Sequence, residues 1–288
     1  MINLTKKIGY KALFDEKTNT FQFGDDIIFK KAWEKSLSTT TVVGQPLWKS
    51  LMFAKDFTDE SGQIIKQPDL KKFKDPVEKY YFGYNVVFWK EFYSLLENNN
   101  LIPDITIVLP GDFNGEYYRT EGHEHLSLLP EVYENDYGEN IFLIFKLKEN
   151  KVDVEDVVAV FAKTGDHVIF PPGYHHITVN IGKTPLVVTD WNSKNANSNF
   201  MHIKNHNGAP YWIIKGKSGP EFIRNPKYKG FVPEIRLVKP VEEIPEFGLK
   251  KNIPMFNLVK DDKIRLLDFI NDKTGKYSEV FKRVFVPI

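Results

Sequence analysis

His123 and His125 stand two residues apart in Thr120-Glu-Gly-His-Glu-His-Leu-Ser-Leu-Leu-Pro-Glu-Val-Tyr133, and Glu131 follows six residues after His125. Imidazole nitrogen is the commonest side-chain metal donor near neutral pH, and a carboxylate added to two imidazoles suits a first-row divalent ion. Residues i and i+2 of a β-strand face the same way, so both rings converge if this stretch is extended. A carboxylate brought back by the next strand then completes the set. An isolated pair is also a common surface accident, and a third element is needed to give it meaning. All seven histidines lie between His123 and His206, which confines imidazole chemistry to that window.

The third element is Gly165-Asp-His-Val-Ile-Phe-Pro-Pro-Gly-Tyr-His-His-Ile-Thr-Val-Asn180. Its spacing, G-x5-P-x-G-x2-H-x3-N, runs through Gly165, Pro171, Gly173, His176 and Asn180. The first stretch reads HxH-x5-E-x6-G through His123, His125, Glu131 and Gly138. Each half is a pair of strands joined by a turn bearing Gly or Pro, and inward alternation would set three imidazoles and one carboxylate around one ion. In a strand His175 points away from His176, toward an outer shell or the surface. His167, His202 and His206 have no partner at ligand spacing and read as structural or exposed.

The elements that must position these groups are short. Strands are expected at 104–109, 116–120, 140–148, 152–162, 167–170, 175–181, 186–191, 211–214 and 221–223, separated by turn residues. The polar run 191–199 reads as a mobile loop. Before this region, 25–36 has helical apolar spacing and 55–74 reads as an exposed connection. Pro76 opens a helix expected over 77–97 with an aromatic stripe through Tyr80, Tyr81, Tyr84, Phe88 and Phe92. After Gly230 a helix is expected near 261–269, followed by a hydrophobic end. This texture suggests a barrel or a sandwich, and the layout predicted is an N-terminal extension over 1–100, a β domain carrying the metal site over 101–228, and a C-terminal extension over 229–288 that packs on it.

Composition excludes several chemistries. The chain has 288 residues, room for one large domain or one domain with extensions. With no cysteine, disulfides, thiolate catalysis and Cys-ligated metals are ruled out. A formal net charge of +1, with 42% apolar and 27% charged residues, gives no electrostatic case for nucleic acid or an acidic membrane. The N-terminus lacks a signal-peptide core and no apolar run nears the ~20 residues of a membrane span. The expectation is a soluble, cytoplasmic protein.

The paired motifs resemble the cupin superfamily. The resemblance implies a mainly β fold, a double-stranded β-helix (the cupin jelly-roll barrel), here with helical N-terminal and C-terminal extensions. Within that superfamily, Thr106-Ile-Val-Leu-Pro-Gly111, Glu116-Tyr-Tyr-Arg-Thr-Glu-Gly-His-Glu-His125, Glu131-Val-Tyr133 and Pro171-Pro-Gly-Tyr-His-His-Ile-Thr-Val-Asn-Ile-Gly182 are similar to the cupin-type phosphoglucose isomerases of archaea. That similarity covers roughly residues 100–228. It implies one divalent metal (Fe, Mn, Ni or Zn) on His123, His125, Glu131 and His176, and a sugar phosphate on Thr106, Thr120, Gly122 and Tyr133. Hydroxyls and a glycine N–H are suitable neutral donors for phosphate oxygens.

The reaction implied is interconversion of glucose 6-phosphate and fructose 6-phosphate, with Glu131 and His176 as the catalytic pair. Glu131 is the carboxylate the motifs place near C1 and C2, while a metal-assisted hydride shift needs no base. A homodimer is also implied. Two departures stand out. The link from HxH to Glu131 is one residue shorter than is usual in that family. Trp191-Asn192 and Ser198-Asn199-Phe200 replace a tyrosine and a histidine expected beside the sugar. An oxygenase built on an open Fe²⁺ site, or a non-catalytic sugar-phosphate-binding cupin, are the alternatives.

Overall fold

Alternation along Glu139–Leu147 explains the architecture: Ile141, Leu143 and Phe145 face one way and Phe142 and Ile144 the other, and all five are buried. A strand apolar on both faces must be covered on both. The computed structural model describes residues 1–17, 20–23, 26–27, 57–58, 64–65, 81–85 and 93–288, position 114 excepted.

Ten strands make two five-stranded sheets, and only these are labelled: β1 (Tyr81–Asn85), β2 (Leu101–Val108), β3 (Glu131–Tyr137), β4 (Glu139–Leu147), β5 (Val154–Lys163), β6 (His167–Phe170), β7 (Tyr174–Asn180), β8 (Leu186–Ser193), β9 (Arg236–Pro240) and β10 (Phe285–Pro287). One sheet has the order β6-β3-β8-β2-β1, the other β7-β4-β5-β9-β10. From β3 to β8 the chain passes repeatedly between the two sheets, the mainly β arrangement expected of a double-stranded β-helix. The β3–β4 corner turns at Gly138 (φ +98), where a Cβ would come within 2.9 Å of the Pro185 carbonyl oxygen, so only glycine fits.

Three apolar layers follow. Val108, Val188, Phe142, Ile144, Val158 and Phe170 fill the space between the sheets. Ile141, Phe145 and Val157 pack outward against Ile203, Ile213 and Tyr228. Ile105, Val132, Val187 and Trp191 pack against both terminal regions through Phe14, Phe247, Phe256 and Phe269. A fully buried side chain of this size contributes roughly 1.5–3 kcal/mol, which is why the termini hold to the sheet.

Several expectations are corrected. In place of one helix over 77–97, Tyr81–Asn85 is strand β1, in antiparallel register with Asp104–Val108, and helix is found only at Tyr93–Asn98. Residues 77–80 and 86–92 lie outside the described residues. Tyr-Phe-Gly-Tyr is aromatic-rich and favours a strand where a sheet edge is free to pair with it, which overrides the helical spacing. Asp26–Ile27 is likewise a strand, and the rest of the helix expected over 25–36 lies outside the described residues. The described N-terminal residues form short strands and one helical turn, Thr5–Ile8. The connection expected over 55–74 is described only at Phe57–Thr58 and Ile64–Ile65, which pair as strands.

Residues 191–199 are not a free loop. β8 runs to Ser193, Trp191 is fully buried, and Ser198–Asn199 pairs with Glu124–His125. The C-terminal segment enters the second sheet directly, β9 parallel to β5 and β10 antiparallel to β9. Its expected helix is a 3₁₀ segment, Ile264–Asn271. Among the described residues no helix is long and apolar enough to cross a membrane.

Candidate metal centre

β7 supplies the first candidate ligand by alternation. His176 faces the space between the sheets, while His175 points the other way. His175 is buried rather than at the surface: it stacks on Phe145 at 4.5 Å and its Nε2 lies 3.5 Å from Glu124. His167 is buried too, 3.7 Å from Glu134, whereas His202 and His206 are half-buried and stack on each other.

His123 is fixed to His176 by a reciprocal backbone pair, His176 N–H to His123 O at 2.9 Å and His123 N–H to His176 O at 3.2 Å. His125 is carried by the Glu124–His125 strand against Ser198–Asn199. Glu131 opens β3. The short link before it closes with Leu128 in the left-handed region (φ +52), its N–H donating to His125 O at 3.0 Å, and His125 Nδ1 lies 3.3 Å from Leu129 O. A tight turn thus closes the short link, and the Glu131 carboxylate reaches the cluster.

One ligand atom from each of His123, His125, Glu131 and His176 lies within 4.8 Å of all the others. His123 and His125 bring their Nε2 atoms within 3.3 Å, and Glu131 Oε2 sits 3.1 Å from His176 Nε2 and 3.5 Å from His125 Nε2. Glu131 Oε2 and His176 Nε2 are buried with no hydrogen-bond partner. Burial pushes His123 down to about 3 and lowers His125 and His176, while it pushes Glu131 up to about 8 despite hydrogen bonds from Asp190 and Tyr133. The close histidine–glutamate contacts are therefore not ion pairs. Three uncharged imidazoles and one carboxyl, converging with little else to bond to, fit a divalent cation that would displace the Glu131 proton, and N₃O is a borderline donor set.

These shifts fix the pH behaviour of the metal-free chain. Glu131 has an ordinary value of 4.5. Its raised folded value favours folding fully below that pH, and the contribution is lost as pH rises toward about 8. The histidines act on the acid side: below their ordinary 6.5 the unfolded chain takes up protons that the fold refuses. Thermal melts with chelator present should therefore peak near pH ~6.5 and fall on both sides. A bound cation, holding Glu131 ionised in the fold, should flatten the alkaline limb. A metal-free Tm that is level from pH 6.5 to 8 would count against the buried carboxyl.

The four donors lie in a cavity of about 380 Å³, which also takes in Thr106, Thr120, Gly122 and Tyr133. This lies within the ~300–1,000 Å³ usual for small-molecule sites. Thr120 Oγ1 accepts the Thr178 N–H at 3.0 Å, leaving its own proton to donate. At Gly122 (φ +82) a Cβ would come within 2.6 Å of His176 O, so the demand for glycine there comes from packing on β7. Phe200 lies 5.0 Å from the His123 ring.

Asp104, Asp190 and Asn192 are among the lining residues that the motifs miss. Asp190 is the cross-strand partner of both Tyr133 and Asp104, and it is hydrogen-bonded to Glu131. Burial pushes Asp104 and Asp190 well up, and each raises or is raised by a neighbouring acid. The signal for them was present: each is a lone acid at an inward position of an apolar strand.

The glucose-6-phosphate isomerase (GPI) family profile matches residues 54–229. "Putative glucose-6-phosphate isomerase 1" of Rhizobium meliloti is 33% identical over 141 residues, 48% of this chain and 63% of that protein. A glucose-6-phosphate isomerase of Sinorhizobium medicae is 35% identical over 99 residues, 34% of this chain and 44% of that protein. The chain thus spans less than two thirds of the length of the curated relatives it matches. Among solved structures, oxalate oxidase with glycolate superposes at a TM-score of 0.32, with 19% identity, over 42% of this chain and 53% of that one.

Proposed function

The chain belongs to the glucose-6-phosphate isomerase family, and on that premise we propose that it interconverts glucose 6-phosphate and fructose 6-phosphate with the help of one divalent metal ion. The observation that carries this reading is the meeting of His123, His125, Glu131 and His176 in a cavity that also holds Thr106, Thr120, Gly122 and Tyr133. A homodimer, as the resemblance implies, and a cytoplasmic location, as the N-terminal residues suggest, complete the proposal.

An ion held by the three histidines and Glu131 supplies Lewis-acid stabilisation of the negative charge that develops on the C1 and C2 oxygens. The protein does the rest. The Thr106 and Thr120 hydroxyls and the Gly122 N–H donate to the phosphate and hold the sugar chain in one direction, and the Tyr133 hydroxyl exchanges its bond to Glu131 for one to the phosphate. That orientation brings C1 and C2 to Glu131, whose carboxylate takes the proton from one carbon and returns it to the other, while the hydroxyl proton passes between O1 and O2 to complete the exchange. Asp190, hydrogen-bonded to Glu131, keeps that carboxylate in place. His176 holds the site through its ring and fixes His123 through its backbone.

Protein reconstituted with Mn²⁺, Fe²⁺, Ni²⁺ or Zn²⁺ is expected to convert fructose 6-phosphate to glucose 6-phosphate without oxygen, and chelation should stop it. No turnover with any of these ions, or turnover only with oxygen consumed, would overturn the proposal.

A further inference from the structure

Asp104, Asp190 and Asn192 form one feature that belongs to neither the metal set nor the phosphate donors, although Asp190 also bonds Glu131. The Asn192 Nδ2 donates to Asp104 Oδ2 and to Asp190 Oδ2, both at 3.2 Å. The two acids face each other in the β2–β8 register, and all three residues line the cavity. Asp104 and Asn192 keep part of their surface open to it. Opposed acids on neighbouring strands are unfavourable to a sheet, the more so when buried. The bond to Glu131 accounts for Asp190 alone; packing gives no reason for the opposed pair, and a ligand does.

Resting on the isomerase reading, we propose that Asp104, Asp190 and Asn192 are a hydroxyl-recognition wall that selects the sugar chain. Paired carboxyl oxygens and an amide match the donor and acceptor pattern of neighbouring hydroxyls on a polyol chain. A wall of this kind rejects a substrate that lacks one of those hydroxyls, because its polar groups are then buried without a partner. Specificity for hexose chain stereochemistry then comes from β2 and β8, on residues separate from those that hold the metal.

The test is a cycle between protein and substrate. Wild type and Asp104→Asn, both metal-loaded, are compared on fructose 6-phosphate and on its 3-deoxy and 4-deoxy analogues, by turnover and by calorimetric binding. The Asp104 carboxylate is hydrogen-bonded to Asn192 rather than to a metal-ligand candidate, and Asn preserves its shape. In the wild type, removing the contacted hydroxyl should lower kcat/KM about 10–100-fold. In Asp104→Asn that penalty should largely vanish, while the Tm should rise by roughly 2–4 °C as the opposed acids are relieved. Asn192→Ala, which removes the amide joining the two acids, should erode the same discrimination.

Equal discrimination by wild type and both variants overturns the wall, as does loss of bound metal or a lowered Tm in Asp104→Asn. Absence of turnover in the wild type overturns the isomerase reading instead, and the binding cycle still decides the wall. No binding of fructose 6-phosphate overturns both.

Discussion

His176→Ala is expected to leave a folded protein that holds no metal at stoichiometric loading and turns over at least roughly 10³-fold more slowly, since the ion is asked for several kcal/mol of charge stabilisation and each 1.36 kcal/mol is tenfold in rate. The residue contributes twice. Its Nε2 is one of four converging donors, buried and without a hydrogen-bond partner. Its backbone bridges to His123, and alanine keeps that bridge. The variant therefore separates the ring from the strand pairing: metal analysis should show loss of the ion with a near-normal circular dichroism spectrum. Retention of one equivalent of metal would contradict the ligand assignment.

Gly122→Ala is the second large effect, and it acts through geometry alone. A methyl at this position meets the His176 carbonyl oxygen at 2.6 Å and presses on the Ile177 side chain, in a backbone conformation (φ +82) that L residues rarely adopt. Strain and overpacking of this kind cost about 1–3 kcal/mol each. Relief comes only by moving Gly122 away from β7, and His123 moves with it. A lower Tm, weaker metal binding and reduced turnover should therefore appear together. A variant that binds metal like the wild type would show that the His123–His176 bridge tolerates the displacement.

What could be read from the residues and what could not divides along physical lines. Ligand spacing at His123, His125, Glu131 and His176 is local and set by strand alternation, and the four side chains do converge. The strands over 139–193 were legible for the same reason: long β-branched runs bounded by Gly and Pro. Tyr81–Asn85 was not, because a five-residue aromatic segment satisfies a helical period and becomes a strand only when β2 offers its edge. Trp191–Asn199 reads as a loop because its polar composition hides two long-range facts, the burial of Trp191 against the terminal regions and the pairing of Ser198–Asn199 with Glu124–His125.

Asp104 and Asp190 illustrate the deepest gap. In each strand a single acid is unremarkable, and only the register that opposes them across β2 and β8 makes a pair. The same register places Asp190 beside Tyr133 and joins the wall to Glu131. The departures at Asn192 and Ser198-Asn199-Phe200 therefore leave a built site, with different groups in it. Asn192 bridges the two acids, Ser198 and Asn199 pin the strand that carries His125, and Phe200 packs beside His123.

The central claim, a metal-dependent isomerase site on His123, His125, Glu131 and His176, is tested most directly by titrating metal-free protein with a divalent ion while following glucose 6-phosphate formed from fructose 6-phosphate. Activity should start at background, rise linearly with added metal and break at one equivalent per chain. Full activity in the rigorously metal-free protein, or none at any loading, would contradict it.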